Sequence, residues 1–432
     1  MSLPLALLVD DEAGILATLA GVLSDNGFEA LTTASGVEAI DLYRERRPDI
    51  VFLDVWLPDR DGLETLQALR DLDPDAAVVM ISGHGTTTTA VRSIKMGAFE
   101  YLEKPLSYEQ VLVAARGALA ARRSGPARTA ESAPAAGDAT TATRLPPPPL
   151  RHLRRSATPQ RTLRQNIVLY GMGLHSGGRT GLVLQPLPPG SGIHFHSMPS
   201  GLSIPARVEA VGDAEYATTL GANGASIKTV EHLLSALHAS GVTNLLIKVH
   251  GEVPVLDGSA IEFCRTLEAI GLADQDEPRQ EFVVDRRYEV GSGEKSLVLE
   301  PYDGFAISYL LRYPPPIGTQ QFDFELTDFA AYEREIAPAR TFGFMRDLKM
   351  MNELGLGSGG RLDNFILVGE DNVINTELRF PDEFVRHKIL DVIGDLYLLG
   401  YPLRGRVTAR LTGHRDNIAM VRKLVDENRL DA

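Results

Sequence analysis

The chain has 432 residues, of which 44% are hydrophobic and 23% charged, with a formal net charge of −14. That length exceeds one ordinary core, so more than one domain is expected, and the acidic balance argues against nucleic acid as a main partner, because phosphate recognition favours basic surfaces. The single cysteine, Cys264, excludes an intramolecular disulfide and fits a reducing compartment. The opening MSLPLALLVDDE has no basic n-region and no small-residue cleavage site, and no stretch approaches the roughly 20 apolar residues that span a bilayer. A soluble, cytoplasmic protein is expected.

Residues 5–9 (LALLV), 50–53 (IVFL) and 77–81 (AVVMI) are apolar runs of strand length, separated by amphipathic segments of helical length such as 36–46 and 62–71. This alternation predicts a doubly wound α/β domain, a parallel sheet with helices on both faces. Asp10 and Asp11 end the first run and Asp54 ends the second, where ligands bind in such sheets. Three converging carboxylates repel one another unless a divalent cation is present, and hard oxygen ligands suit magnesium. Ser82 ends the third run, and Lys104 ends a further short segment, Glu100 to Glu103. A lysine and a hydroxyl beside an acidic trio are what a phosphorylated aspartate needs to hold its oxygens.

VDDE, LDVWLPDRDGLE, MISGHGTTTTAV and EYLEKPLS stand in the order and spacing of response-regulator receiver domains, which residues 3–123 resemble. The resemblance implies a flavodoxin-like fold, Asp54 as phosphoacceptor, and Asp10, Asp11 and Asp54 around magnesium. It also implies Ser82 and Lys104 as switch residues, Tyr101 as the aromatic that reorients, and a sensor histidine kinase as phosphodonor. The ISGHG and EKPLS wording is most similar to receivers of nitrogen-regulation-type activators, whose ATPase and helix-turn-helix modules do not follow here. A degenerate receiver used only for docking is the alternative, and the five filled chemical positions favour phosphorylation over it.

Residues 1–125 carry 11 basic and 19 acidic side chains. Residues 126–160 are rich in Ala, Thr, Ser and Pro and lack Phe, Trp and Tyr. Such a segment cannot bury enough apolar surface to offset its conformational entropy, so it is expected to be a mobile linker, stiffened at Pro146 to Pro149. Arg151, Arg154, Arg155, Arg161 and Arg164 form a basic run at its end. The simplest reading is solubility; weak peripheral attraction to an anionic membrane surface is the sharper one.

Three features after the linker carry chemistry. Thr229-Val230-Glu231-His232 opens a helical pattern, TVEHLLSALHAS; Phe384 to Asp391 (FVRHKILD) is also helical; and Thr412-Gly413-His414 follows a strand-like RVTARL. His387 and Asp391, four apart, share a helix face. With His232 they would give zinc three ligands and leave a position for water, which Glu231 could deprotonate. His414 could stabilise developing charge or protonate a leaving amine. Spacing alone leaves open a surface hydrogen bond for the helical pair and a structural role for each histidine.

Residues 160–428 resemble the UDP-3-O-acyl-N-acetylglucosamine deacetylase family of lipid A synthesis. The motifs run QRTLRQNIVLYGMGLHSG, ATTL, KTVEHLLSAL, GVTNLLIKV, VPVLDGSA, ARTFGFMRD, EFVRHKILDVIGDLYLLG and TGH. The resemblance implies His232, His387 and Asp391 as zinc ligands and Glu231 as general base. It implies Thr341 at the oxyanion, His414 as the charged histidine opposite Glu231, Asp395 orienting that histidine, and Lys388 and Phe342 at the substrate. The implied fold is two similar α+β layers, 161–285 and 286–432, with the site between them. A hydrophobic βαβ insert near 344–368, dense in glycine, would enclose the acyl chain; Met350, Met351 and Leu354 also read as core. His175 in GLHSG is open between a structural and a second-metal role, Asp257 reads as turn-holding, and Cys264 as buried and inert. His194, His196, His238 and His250 match no motif. Phosphorylation of Asp54 is expected to alter the deacetylase. A signalling protein with the deacetylase fold turned sensor is the alternative, disfavoured because every zinc ligand and Glu231 are present.

Overall fold

The computed structural model describes residues 3–82, 92–104, 106, 108–124, 149–353, 356–361 and 364–430. Residues 83–91 of the MISGHGTTTTAV motif, Pro105 and Ser107 of EYLEKPLS, most of the expected linker, and Leu354, Gly355, Leu362 and Asp363 of the expected insert lie outside the described residues.

The N-terminal domain is built on β1 (Leu5–Val9), β2 (Glu29–Thr33), β3 (Ile50–Asp54), β4 (Val78–Ser82) and β5 (Glu100–Glu103), all parallel in the order β2-β1-β3-β4-β5. Side chains alternate across a strand, so a sheet covered on both faces needs unbroken apolar runs. Ala6, Leu8, Phe52, Val79 and Ile81 enter one core with the Ala13–Ser24 and Tyr108–Ser124 helices. Leu7, Val9, Val51, Leu53 and Met80 enter the other with the Gly36–Arg46 and Gly62–Leu72 helices. Ser35 and Asp61 cap those two helices by accepting the N–H of Glu38 and Leu63, satisfying donors that the first turn leaves unpaired. β1 and β3 are parallel neighbours, so their C-terminal ends, Asp10 and Asp54, meet at one edge of the sheet. Gly62 is required there: a Cβ would lie 2.1 Å from the Asp54 carbonyl oxygen.

In the C-terminal domain the strands are, in chain order, β6 (Leu153–Leu163), β7 (Ile167–Met172), β8 (Arg179–Pro186), β9 (Ile193–Ser197), β10 (Leu202–Pro205), β11 (Leu220–Ala222), β12 (Ala225–Ile227), β13 (Leu245–Val249), β14 (Leu272–Val283), β15 (Tyr288–Ser292), β16 (Lys295–Glu300), β17 (Phe305–Arg312), β18 (Thr319–Glu325), β19 (Phe342–Phe344), β20 (Ile366–Val368) and β21 (Leu403–Arg410). One sheet runs β10-β9-β13-β8-β7, and its sequence segment holds the Glu231–Ser240 and Ile261–Ile270 helices. The other runs β15-β16-β21-β14-β6, with β17 also on β21 and β18 on β17; the Glu383–Leu396 and His414–Asn428 helices belong to this half. β19 and β20 form a parallel pair around the short Leu348–Glu353 helix. No described helix is long and apolar enough to cross a membrane.

Two expectations need correction. The segment expected to be linker up to residue 160 is a strand from Leu153 onward, because β6 finds an antiparallel partner in β14, more than 100 residues away. Its arginines face an acidic strand: Arg154 pairs in register with Glu281, and Arg161 Nε donates to Asp274 at 2.8 Å. Opposite charges across a ladder supply what apolar composition lacks. Arg161 is thereby paired, whereas Arg151, Arg154, Arg155 and Arg164 remain exposed. The TVEH helix also starts later than the pattern implies. Its first residue is Glu231, and Thr229 stands before it with φ +59°, a conformation a β-branched residue rarely adopts.

Candidate active site

The Glu231–Ser240 and Glu383–Leu396 helices come together at Gly394, where a Cβ would lie 2.1 Å from the Glu231 carbonyl oxygen. Glycine therefore permits the approach that faces His232 with His387 and Asp391. The two imidazole rings are perpendicular, 5.0 Å apart. Asp391 Oδ1 lies 3.4 Å from His387 Nε2 and 3.8 Å from His232 Nε2. Each of the three residues offers a ligand atom within 4.8 Å of the others, and all three are buried.

Electrostatics suit a cation here. Burial drives His232 down to about 3 and lowers His387, which keeps both rings neutral, the form that ligates metal. Burial would raise Asp391, but Lys388, His387, His414 and His232 hold it well below the usual carboxylate range. Lys388 Nζ donates to Asp391 Oδ2 at 2.8 Å, while buried Asp391 Oδ1 has no hydrogen-bond partner among the described residues. An orphaned buried carboxylate oxygen costs free energy and is what a divalent cation would satisfy, so the donor set fits one. His387 Nδ1 is 3.1 Å from the Ala339 carbonyl, an arrangement that leaves Nε2 facing the cluster. Ala339 is held by its neighbour: Arg340 makes a buried ion pair with Glu383 at the start of the same helix, Nε to Oε1 2.9 Å.

Beside the cluster stand a buried carboxyl and a buried imidazole, both shifted upward. Glu231 is pushed up to about 8 by burial, with His414 opposing and Asp395 and Asp391 adding. Burial would lower His414, but Asp395 and Asp391 raise it to about 9. This overcomes both desolvation and the position of His414 at a helix N-terminus, where the helix dipole disfavours a cation. His414 Nδ1 is 2.8 Å from Asp395 Oδ2, and its Nε2 lies 3.8 Å from Asp391 Oδ2. Asp395 also accepts from Asn417 Nδ2 at 2.9 Å. Buried titratable groups shifted this far by desolvation and named charge partners are candidates for proton transfer.

The remaining expected residues fall around this group. Phe342 packs edge-on against His387, 6.2 Å between ring centroids, and Lys388 Nζ is 5.7 Å from its centroid. Thr341 lies between Phe342 and Arg340; its N–H donates to the Gly258 carbonyl and its own carbonyl accepts from Ile366. Asp257 holds the turn before Gly258, accepting from Ser259 and pairing with Arg379 at 2.8 Å. Cys264 is buried, and His238 is packed between Phe305 and Tyr397. His175 is buried with neither ring nitrogen paired among the described residues.

Two residues outside the expected set are central. Glu252 is a buried carboxylate that accepts from the backbone N–H of His175 (2.8 Å) and Ser176 (2.9 Å) and from Thr229 Oγ1 (3.0 Å). It thus holds Thr229 in its strained conformation two residues before Glu231. Thr218 is fully buried and bonds both Glu231 and Asp395. The VPVLDGSA and ATTL motifs border or contain these positions, but no charge or spacing pattern in the sequence singles them out.

At the edge of the N-terminal sheet, Lys104 Nζ donates to Asp54 Oδ2 (2.7 Å), Asp10 Oδ2 (2.8 Å) and Glu12 Oε1 (3.4 Å). Asp10, Asp11, Glu12 and Asp54 each offer an oxygen within 4.8 Å of the others. Glu12 is an addition to the expected trio. Burial raises Asp10 to about 7, with Lys104 opposing and Asp54 adding. Burial would lower Lys104, but Asp10 and Asp54 raise it to about 12. Ser82 is buried at the end of β4, its carbonyl accepting from Lys104 N–H at 2.8 Å. The hydroxyl of Tyr101 is buried with no partner among the described residues.

A parallel sheet ending in clustered carboxylates crossed by a lysine is a receiver domain, and the family model of response regulator receiver domains matches residues 6–116. C-terminal to it in the sequence is a hydrolase-type domain, with a buried His-His-Asp group flanked by a carboxyl and an imidazole. The family model of UDP-3-O-acyl N-acetylglycosamine deacetylases matches residues 160–426, and the chain belongs to that family. The UDP-3-O-acyl-N-acetylglucosamine deacetylase of Myxococcus xanthus (strain DK1622) is 44% identical over 280 residues, 64% of this chain and 89% of its own. The protein of the same name from Anaeromyxobacter dehalogenans (strain 2CP-C) is 44% identical over 269 residues, 62% and 87% of the two chains. That of Thermodesulfovibrio yellowstonii (strain ATCC 51303 / DSM 11347 / YP87) is 40% identical over 269 residues, 62% and 92%. Among solved structures, a response regulator receiver domain protein from Clostridium thermocellum is 32% identical, covering 28% of this chain and 98% of its own, with a TM-score of 0.28.

Proposed function

We propose that the C-terminal domain hydrolyses the acetamide of UDP-3-O-acyl-N-acetylglucosamine to the free amine and acetate, the committed step of lipid A biosynthesis, in the cytoplasm. The observation that carries this reading is the unpartnered Asp391 Oδ1 facing two neutral imidazoles, with Glu231 and His414 alongside. His232, His387 and Asp391 would hold zinc, the metal suited to two nitrogens and one carboxylate. Zinc in such a site acidifies water and polarises a carbonyl.

Glu231 takes the proton of the attacking water as its oxygen bonds to the acetamide carbon. The charge that develops on the carbonyl oxygen is met by the imidazolium of His414 and the Thr341 hydroxyl. The carbon–nitrogen bond then breaks, the sugar nitrogen takes the proton that Glu231 accepted, and acetate and amine leave. Asp395 keeps His414 charged and correctly turned through Nδ1. Lys388 and Phe342 line the substrate side of the cluster. A deacetylation assay on the UDP-sugar, with and without chelator, tests the reading. Turnover that chelator abolishes and zinc restores is expected; a zinc-loaded but inert protein would overturn it.

In the receiver, Asp54 would accept phosphate from a sensor histidine kinase, with magnesium held by Asp10, Asp11 and Asp54. Lys104 binds one carboxylate oxygen of Asp54, where it would meet the charge of a phosphoryl group. Phosphorylation of Asp54 is proposed to alter deacetylase activity. Equal turnover with and without a phosphoryl mimic bound at Asp54 would reject that coupling.

A further inference from the structure

We propose that Thr218 is a positioning residue that fixes the proton-accepting carboxylate and the cationic histidine to one another, an inference that rests on the deacetylase reading above. Thr218 is 0% exposed and uses every polar group it has. Its carbonyl accepts from Val230 N–H at 3.3 Å, its N–H donates to Glu231 Oε2 at 3.1 Å, and its hydroxyl donates to Asp395 Oδ1 at 2.5 Å. The same hydroxyl oxygen is 3.4 Å from His414 Nδ1. One residue thereby reaches the start of the Glu231 helix, the base itself, and the carboxylate that orients His414.

The local fold explains how. β11 and β12 form a two-stranded antiparallel ribbon, Leu220 opposite Ile227. The ribbon returns the chain so that Thr218, just before it, lies beside Val230 and Glu231, just after it. From there the hydroxyl extends across to the Glu383–Leu396 helix, 177 residues further along the chain.

The consequence concerns which oxygen of Asp395 does what. Asp395 Oδ1 is taken by Thr218, while Oδ2 receives His414 and Asn417. With Oδ1 anchored, the carboxylate cannot turn about its own axis. His414 then keeps Nδ1 on Asp395 and presents Nε2 toward the Asp391 side. Removing only the hydroxyl should leave the metal ligands in place and loosen the imidazole.

The test uses the full chain loaded with zinc, assayed on UDP-3-O-acyl-N-acetylglucosamine. Thr218→Val and Thr218→Ser are measured alone and in a His414→Gln background, with zinc content and thermal unfolding recorded for each. Thr218→Val should keep its zinc and its KM and lose kcat by about 10- to 100-fold, the usual size of a lost outer-shell partner. Thr218→Ser, which keeps the hydroxyl, should restore most of it. In the His414→Gln background Thr218→Val should change kcat little, because the group it positions is gone. An equal loss in both backgrounds, a serine as damaged as the valine, or an unchanged kcat would each overturn the proposal. If the valine fails to fold, Thr218→Ala against Thr218→Ser in the same two backgrounds gives the same decision. A wild-type protein without turnover overturns the deacetylase reading and this inference together; wild-type turnover that Thr218→Val leaves intact overturns this inference alone.

Discussion

Two clusters among the described residues are able to hold a cation, and they are built oppositely. The receiver cluster is all oxygen and partly open: Asp10 and Asp54 are buried, Glu12 is half-buried and Asp11 is exposed. The deacetylase cluster is two imidazoles and one carboxylate, all buried. Each sets a lysine against its key carboxylate, Lys104 on Asp54 and Lys388 on Asp391. An open oxygen site suits magnesium, which dehydrates reluctantly and keeps several waters. A closed nitrogen-rich site suits zinc and sharpens every charge inside it. The same pairing of lysine with carboxylate thus sits in a place that must exchange its ligand and in one that must not.

The largest expected effect is at the base. Glu231→Gln should retain zinc and lose turnover by on the order of 10²–10⁴-fold, measured as kcat beside metal content; magnesium binding by the receiver should not change. A variant that kept its turnover would remove Glu231 from the mechanism.

The pH profile separates the two groups beside the proposed zinc site. A base works deprotonated and an acid works protonated, so kcat/KM should rise as Glu231, lifted to about 8 by burial in the absence of a metal, loses its proton. It should fall above about 9 as His414 loses its own. A bound cation favours the Glu231 carboxylate and moves the rising limb lower. His414→Gln should lower the rate and erase the falling limb while sparing the rising one. An alkaline limb that survives the substitution would assign it to another group.

Gly394→Ala tests the close approach of the two helices. The added Cβ must displace the Glu231 backbone, so the deacetylase domain should lose about 1–3 kcal/mol, read as a lower unfolding midpoint, and its activity should fall. The receiver, followed separately by magnesium binding, should be unaffected.

The smallest effect is spectroscopic. Trp56 is the single tryptophan of the chain, it is 65% exposed, and its backbone N–H donates to Asp54 Oδ1 at 3.0 Å. Its fluorescence should respond to magnesium, and Asp10→Asn should shift that titration to higher magnesium, whereas chelating zinc should leave it alone. A signal that followed zinc instead would blur the distinction between the clusters.

Several features were legible without the fold. Short apolar strands ending in Asp10 and Asp54 read directly, because a strand buried on both faces leaves an unbroken apolar run in the sequence. His387 and Asp391 were legible as one face of a helix, since a spacing of four returns to the same side. The late start of the Glu231 helix was not, because Thr229 is held at φ +59° by a bond to Glu252, 23 residues away. Nor was β6, whose polar composition reads as linker until the acidic β14 is placed opposite.

The sequence by itself determined which side chains could do the chemistry and which local element bears each one. Only the tertiary structure decided their electrostatic character and their partners. Glu231 and His414 are ordinary residues in a list, and their pKa values part from the ordinary only when burial strips their water and Asp391 and Asp395 stand beside them. Thr218 reaches Asp395 across 177 residues. A local pattern cannot encode such a contact, because hydrogen bonds and desolvation depend on distance in space and not along the chain.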